Sequence, residues 1–191
     1  MFFLYLCSMK ILVCDNINEL GEDFVEWSMS VLPDWRKEQM LAIKHLRGRV
    51  QCAVAWLMIG GNWTYNEHGK PYFADRNDLF FSISHCRSAV AVAIDDAEIG
   101  IDIEEISRYK ESLVNYSLNE DEVETMCTSS PQSNRAESFI ELWTKKEAVF
   151  KFLGTGITHD IKNVLKNNPD VNVYSQRIGD MILSVATRGN I

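Results

Sequence analysis

Gly100-Ile101-Asp102-Ile103-Glu104 is the stretch that decides the fold. Before it runs Ser88-Ala89-Val90-Ala91-Val92-Ala93-Ile94, an apolar segment closed by Asp95-Asp96. That segment reads as a buried strand ending in a turn. If residues 99–104 form the next strand, successive side chains point to opposite faces. Asp102 and Glu104 then share one face, with Ile101 and Ile103 on the other. Two carboxylates at that spacing repel each other. They also make half a shell for a hard cation with oxygen ligands. The plain alternative is a solvated strand face running into a charged turn, since Glu105 extends the acidic run.

Outward from this stretch, both flanks carry pattern. Upstream, residues 79–85, Leu79-Phe80-Phe81-Ser82-Ile83-Ser84-His85, alternate Phe81 and Ile83 with Ser82 and Ser84. They predict a strand with one polar face, and His85 closes it. Asn66-Glu67-His68-Gly69-Lys70-Pro71 brackets a lysine between Gly and Pro, a turn that presents one cation. Residues 38–58 predict one helix, with Leu41, His45, Val50, Val54 and Leu57 at three- to five-residue steps and Arg47 and Arg49 between them. Gly60-Gly61 ends it. Pro33-Asp34-Trp35 is a break and a helix start, and Phe24, Trp27, Met29 and Leu32 belong to a short helix or loop. Met1 to Cys7 and residues 9–15 read as the first strands; Met9 is an alternative start of the chain.

Downstream, Asn119-Glu120-Asp121-Glu122 opens a short helix, and residues 128–134 read as a surface loop. Arg135 to Leu153 gives the strongest helical pattern, with Phe139, Leu142, Trp143, Phe150 and Leu153 on one buried stripe. Trp143, Glu147 and Lys151 follow at i, i+4 and i+8 on a neighbouring stripe. An exposed Glu147–Lys151 pair by itself is worth only about 0.3 kcal/mol. Residues 171–186 predict a hairpin around Ile178-Gly179-Asp180. The order strand, helix, paired strands thus occurs twice.

Composition narrows the function classes. A chain of 191 residues, 46% hydrophobic with nine Phe and five Trp, has material for a core. A formal net charge of −8 disfavours a nucleic-acid partner. Five cysteines, an odd number without a C-x-x-C pair, point away from disulfides and zinc and toward a reducing cytoplasm. The apolar opening is too short to span a bilayer and lacks a signal-peptide pattern, so no membrane association is expected.

Four motifs in order carry a resemblance. Gly100-Ile101-Asp102-Ile103-Glu104 is followed by Trp143-Thr144-Lys145-Lys146-Glu147-Ala148-Val149-Phe150-Lys151. Together they resemble the 4′-phosphopantetheinyl transferase superfamily, whose pattern is roughly G-[IV]-D and then [FW]-[ST]-x-K-E-[AS]-x-x-K. Gly69-Lys70-Pro71 and Phe81-Ser82-Ile83-Ser84-His85 resemble its Sfp-type branch, as does a length near two fused halves. The resemblance implies an α+β fold of two similar, pseudo-twofold lobes, each a helix on a small antiparallel sheet. Residues 1–97 would form the lobe that contacts the coenzyme A nucleotide, and residues 98–191 the metal and catalytic lobe. One monomer would suffice.

The implied activity is Mg²⁺-dependent transfer of 4′-phosphopantetheine from coenzyme A to a serine of an apo-acyl- or peptidyl-carrier protein, with release of 3′,5′-ADP. Asp102, Glu104 and Glu147 would bind the metal. Lys151 would meet the pyrophosphate and Lys146 the phosphate or the carboxylates. Glu147, or Glu120 in the F-S-x-x-E-like Tyr116-Ser117-Leu118-Asn119-Glu120, would be the base. Lys70, Ser84 and His85 would contact coenzyme A phosphates, with Arg47, or Arg49 in another register, on the 3′-phosphate. A competing reading is a module that binds coenzyme A or a carrier without turnover. Another is a Mg²⁺-dependent phosphohydrolase.

Overall fold

The computed structural model describes residues 2–6, 9–129, 134–157 and 160–188. Its first half holds a four-stranded antiparallel sheet in the order β1-β2-β6-β5. These strands are Phe2–Leu6, Met9–Cys14, Val90–Asp95 and Phe80–His85 for β1, β2, β6 and β5. The second half holds a three-stranded antiparallel sheet, β7-β9-β8. Its strands are Ile99–Glu105 (β7), Asn172–Ile178 (β8) and Met181–Thr187 (β9). A separate short pair, β3 (Trp63–Tyr65) and β4 (Pro71–Phe73), flanks the first half. Its turn is built by the Asn66 carboxamide, which accepts from His68 N and Lys70 N, and by Gly69 at φ 84°.

The duplicated plan is present in three dimensions. In the first half, β2 is followed by helix α3 (Leu46–Ile59) and the β5–β6 hairpin, with β6 beside β2. In the second half, β7 is followed by helix α6 (Arg135–Leu153) and the β8–β9 hairpin, with β9 beside β7. Strands with alternating patterns need one face covered, and each helix supplies that cover.

The two sheets share one core. Ile99, Ile101 and Ile103 on β7 meet Met9, Ile11 and Val13 on β2 and Ala91 and Ala93 on β6. All three isoleucines are fully buried, worth about 2 kcal/mol each in transfer terms. The opposite face of β7 belongs to α6. A Cβ on Gly100 would overlap the Ala148 carbonyl and the Phe152 amide nitrogen, so this glycine sets how closely helix and strand approach.

Several expectations are corrected. The helix predicted over residues 38–58 is two helices, α2 (Asp34–Ala42) and α3. His45 caps α3: its Nδ1 accepts from Gly48 N at 2.9 Å. The break resets the register, which leaves Leu41 and Leu57 exposed. On α6 the last turn buries Phe152 and exposes Leu153. Of the short helix or loop expected around Phe24 and Trp27, the structure has the helix, α1 (Glu22–Ser28), and a further helix, α4 (Glu111–Ser117), follows β7. Helix α5 (Glu120–Ser129) runs into the predicted 128–134 loop, whose residues 130–133 lie outside the described ones, as does Cys7. Among the described residues, four cysteines carry free thiols, and no helix is long and apolar enough to cross a membrane.

Candidate active site

Strand β7 forms an edge of its sheet, because the order β7-β9-β8 leaves its outer side without a ladder. The outward amides of Ile101 and Ile103 are satisfied instead by side chains of β5. Ile101 N donates to Ser82 Oγ at 3.1 Å, and Ile103 N donates to Ser84 Oγ at 3.2 Å. The two serines thereby fix the first sheet against the strand that carries the acidic residues.

Asp102 is 3% exposed. Its Oδ1 accepts from Ser84 Oγ at 2.7 Å and from the Lys151 ammonium at 2.7 Å. Its Oδ2 is buried and has no hydrogen-bond partner. Glu104, two residues on, pairs with Arg108 at 3.0 Å. Arg108 lies in a 3-10 turn, Ile106–Arg108, four residues after Glu104.

Glu147 projects from α6 into the same field. Burial, and then the Asp102 charge, pushes its carboxyl up to about 7, while Lys151 and Arg108 oppose the rise. Burial and then Asp102 likewise push Glu104 up to about 7, with Glu147 adding to the rise and Arg108 and Lys151 opposing it. Glu104 and Glu147 both respond to the Asp102 charge, so residues separated by more than forty positions converge. Gly100 allows this by letting α6 lie close on β7.

The three carboxylates are not drawn into one coordination shell as they stand. Among the described residues no three His, Cys, Asp or Glu side chains are gathered closely enough to hold an ion. The physical reason is mutual repulsion, which is met here by Lys151 on Asp102 and Arg108 on Glu104. The donor set nonetheless suits a hard divalent cation. It offers an unpartnered buried carboxylate oxygen on Asp102 and two carboxyls that are costly to ionise without a counter-charge.

Glu147 and Lys151 line a cleft of about 200 Å³ together with Ser82, Lys70 and Gly154. The cleft shares Gly69, Pro71 and Ile83 with a second cavity of about 590 Å³. Arg36, His45, Gln51, Tyr65 and His85 line that larger space. Burial lowers the His85 pKa, with the Lys151 charge adding to the effect. Arg36, which no sequence motif singled out, is 4% exposed and holds the Cys52 carbonyl through Nε and Nη2. Its guanidinium also lies 4.5 Å from the Trp63 ring centre.

The remaining candidates are distributed unevenly. Lys70 reaches the boundary between the halves, pairs with Glu98 and donates to Phe152 O at 2.9 Å. Arg47 is exposed in the first turn of α3. Arg49 is half-buried and donates to Ile43 O at 2.8 Å. Glu120 is exposed and lines a different cavity, with Leu118, Val123 and Lys162. Its neighbours Asn119 and Glu122 form a reciprocal capping box at the start of α5.

Lys146 is a correction. It is fully buried and donates to Ile161 O at 3.0 Å and Lys162 O at 2.8 Å. It also pairs with Glu122 at 2.8 Å. One residue along a helix turns the side chain by about 100°, so Lys146 faces away from the Glu147 cleft and ties α6 to α5. Thr144, also in the motif, is buried against the Ser184 hydroxyl at 2.7 Å, and Ser175 extends that chain.

A family model described as the 4′-phosphopantetheinyl transferase superfamily matches residues 98–188. The 4′-phosphopantetheinyl transferase gsp of Aneurinibacillus migulanus is 37% identical over 113 residues, covering 58% of this chain and 46% of the relative. AcpT of Salmonella typhi, a 4′-phosphopantetheinyl transferase, is 33% identical over 127 residues, 64% of this chain and 65% of the relative. The 4′-phosphopantetheinyl transferase Sfp of Bacillus subtilis (strain 168) is 30% identical over 92 residues, 48% and 41%. The chain spans about half the length of the curated relatives it matches.

Proposed function

We propose that this chain, whose residues 98–188 belong to the 4′-phosphopantetheinyl transferase superfamily, moves the 4′-phosphopantetheine group of coenzyme A onto a serine of an apo-acyl- or peptidyl-carrier protein. The observation that carries the reading is the Lys151–Asp102 pair at 2.7 Å, with Glu147 and Lys151 lining a cleft beside a larger cavity lined by Arg36, His45 and His85.

Asp102, Glu104 and Glu147 would hold Mg²⁺, which supplies charge neutralisation to a diphosphate when bound. Arg47 and the cavity around Arg36, His45 and His85 would receive the nucleotide end of coenzyme A, and Lys70 and Lys151 its phosphates. The serine hydroxyl attacks the β-phosphorus, the bond from that phosphorus to the bridging oxygen breaks, and 3′,5′-ADP leaves. The serine proton passes to the Glu147 carboxylate, which lines the cleft beside Lys151. Lys151 stabilises the charge that grows on the departing phosphate, a contribution of about 3 kcal/mol for a positioned counter-charge. Glu120 lines another cavity and takes no part in this step.

The test is intact-protein mass spectrometry of a panel of apo-carriers incubated with the protein, coenzyme A and Mg²⁺. One carrier serine gains the phosphopantetheine mass. No mass gain on any carrier overturns the proposal.

A further inference from the structure

Tyr65 ends the short strand β3 and lines the larger cavity. At about 590 Å³ that cavity has the size of a small-molecule pocket, roughly 300–1,000 Å³. Its lining includes Arg36, His45 and His85 and no carboxylate. The chain carries a net charge of −8, and both the cleft at Glu147 and the cavity at Glu120 include acids. Arg36 is 4% exposed, and its partners are neutral: Cys52 O, the Gln39 carboxamide and the Tyr65 hydroxyl. A cation buried among neutral groups is costly, and a bound anion would offset that cost.

The Tyr65 ring is both open and held. The residue is 43% exposed. Its ring meets Trp63 at 72°, with centroids 5.6 Å apart. Trp63 is itself 2% exposed and lies under the Arg36 guanidinium. Arg36 Nη1 donates to the Tyr65 hydroxyl at 3.4 Å. A ring fixed by two neighbours and still open to a cavity offers a surface to a planar group.

We propose that the ring of Tyr65 is the stacking platform for the adenine base of coenzyme A. The proposal deepens the function given above and rests on it. The course of the cavity supports it. Gly69 and Pro71 line both this cavity and the cleft of Glu147 and Lys151, and Pro71 stands opposite Tyr65 in the β3–β4 register. A ligand with a planar head at Tyr65 therefore has continuous space toward Lys151 for its phosphates. Coenzyme A joins such a head to a diphosphate, whereas its pantetheine arm has no flat ring to stack. Stacking on an aromatic side chain needs only the face of the base and no hydrogen-bond partner at its edge.

The experiment is isothermal titration of the full chain in EDTA with 3′,5′-ADP and with coenzyme A, for the wild type, Tyr65→Phe and Tyr65→Leu. Thermal unfolding is measured on the same samples. Tyr65→Leu is expected to weaken both ligands about tenfold, the loss of one base stack. Tyr65→Phe keeps the ring and binds close to the wild-type value. A fluorescent ethenoadenine form of the nucleotide, at saturating protein, is quenched by the wild type and Tyr65→Phe and not by Tyr65→Leu. The proposal is overturned if Tyr65→Leu binds both ligands as the wild type does. It is equally overturned if Tyr65→Phe loses as much as Tyr65→Leu, or if the wild type leaves the ethenoadenine unquenched, whatever the stability of the variants. A wild type that binds both ligands and modifies no carrier removes the proposed reaction and leaves the Tyr65 result standing. A wild type that binds neither removes both.

Discussion

The two halves of the molecule repeat one plan and fill it differently. In the first, α3 covers its sheet with Val50, Ala53 and Val54, packed against Val90 and Ile17 in an apolar layer. In the second, the layer between α6 and β7 holds Gly100, Asp102, Glu104, Glu147 and Lys151 beside an apolar block around Phe139, Phe150 and Phe152. Both layers bury a helix on a sheet. One is an oily joint, and the other contains charges that raise one another's cost. The lesson is that the proposed chemistry lies where one copy of a repeated plan exchanges apolar packing for carboxylates, and the other copy braces that strand through Ser82 and Ser84.

The most severe way to break that contrast is at glycine. Gly100→Ala drives a Cβ into the backbone of α6 at Ala148 and Phe152. We expect a loss of roughly 3 kcal/mol or more, read as the shift in urea midpoint. Gly48→Ala in the first half meets only side chains, Ile43 Cγ2 at 2.7 Å and the His45 ring. Those atoms can move, so the loss is about 1 kcal/mol, mostly the disturbed His45 cap. Equal losses at the two sites would mean that α6 is no more constrained than α3.

The two faces of α6 separate next. Lys146→Ala strips a buried pair and two carbonyl contacts and costs about 3 kcal/mol of stability. Transfer per folded molecule should persist. Lys151→Ala removes the counter-charge of the buried Asp102, so it should lower the midpoint too, and it should lose about 100-fold in kcat per folded molecule. Urea denaturation and carrier modification, run in parallel on both variants, would show whether these effects cross over instead.

A gentler probe is pH. Glu104 and Glu147 hold protons in the folded chain up to about 7, above the ordinary 4.5. Between those values the folded state binds more protons than the unfolded one, so stability falls as pH rises. The melting temperature in EDTA should therefore be higher at pH 5 than at pH 8. Mg²⁺ should narrow the gap at pH 8, because a cation there replaces the lost protons. An EDTA melting curve independent of pH across this window would separate the two acids from Asp102.

The smallest effect is expected at Glu120, exposed at the start of α5. Glu120→Gln should change kcat by no more than about twofold, as surface substitutions do, whereas Glu147→Gln removes the proposed proton acceptor. A matching collapse in Glu120→Gln, followed by single-turnover carrier modification, would move the base to α5.

Much of the architecture was legible because alternation and helical spacing are local signals. Ile99 to Glu105, Arg135 to Leu153 and the terminal hairpin could be read from residue order, and so could the doubled plan. The break at Ile43–His45 could not be, because His45 continues the apolar rhythm while its ring caps a new helix. Lys146 misled for a related reason: in the run Lys145-Lys146-Glu147 all three are polar, and only the helix's rotation against α5 and Ile161 decides which one is interior. Arg36 carried no motif, since its partner is a backbone carbonyl sixteen residues away.

The sequence by itself determined which residue types were available and on which face of which element each acid stands, because those follow from periods of two and 3.6 residues. Only the tertiary structure decided what each charged group meets. Ser84 was turned toward Asp102, Lys151 toward the same carboxylate and Lys146 away from both, because β7 is an edge strand leaning on another sheet and α6 is pressed onto it at Gly100. Such partnerships depend on distances between elements far apart along the chain, and no local pattern encodes them.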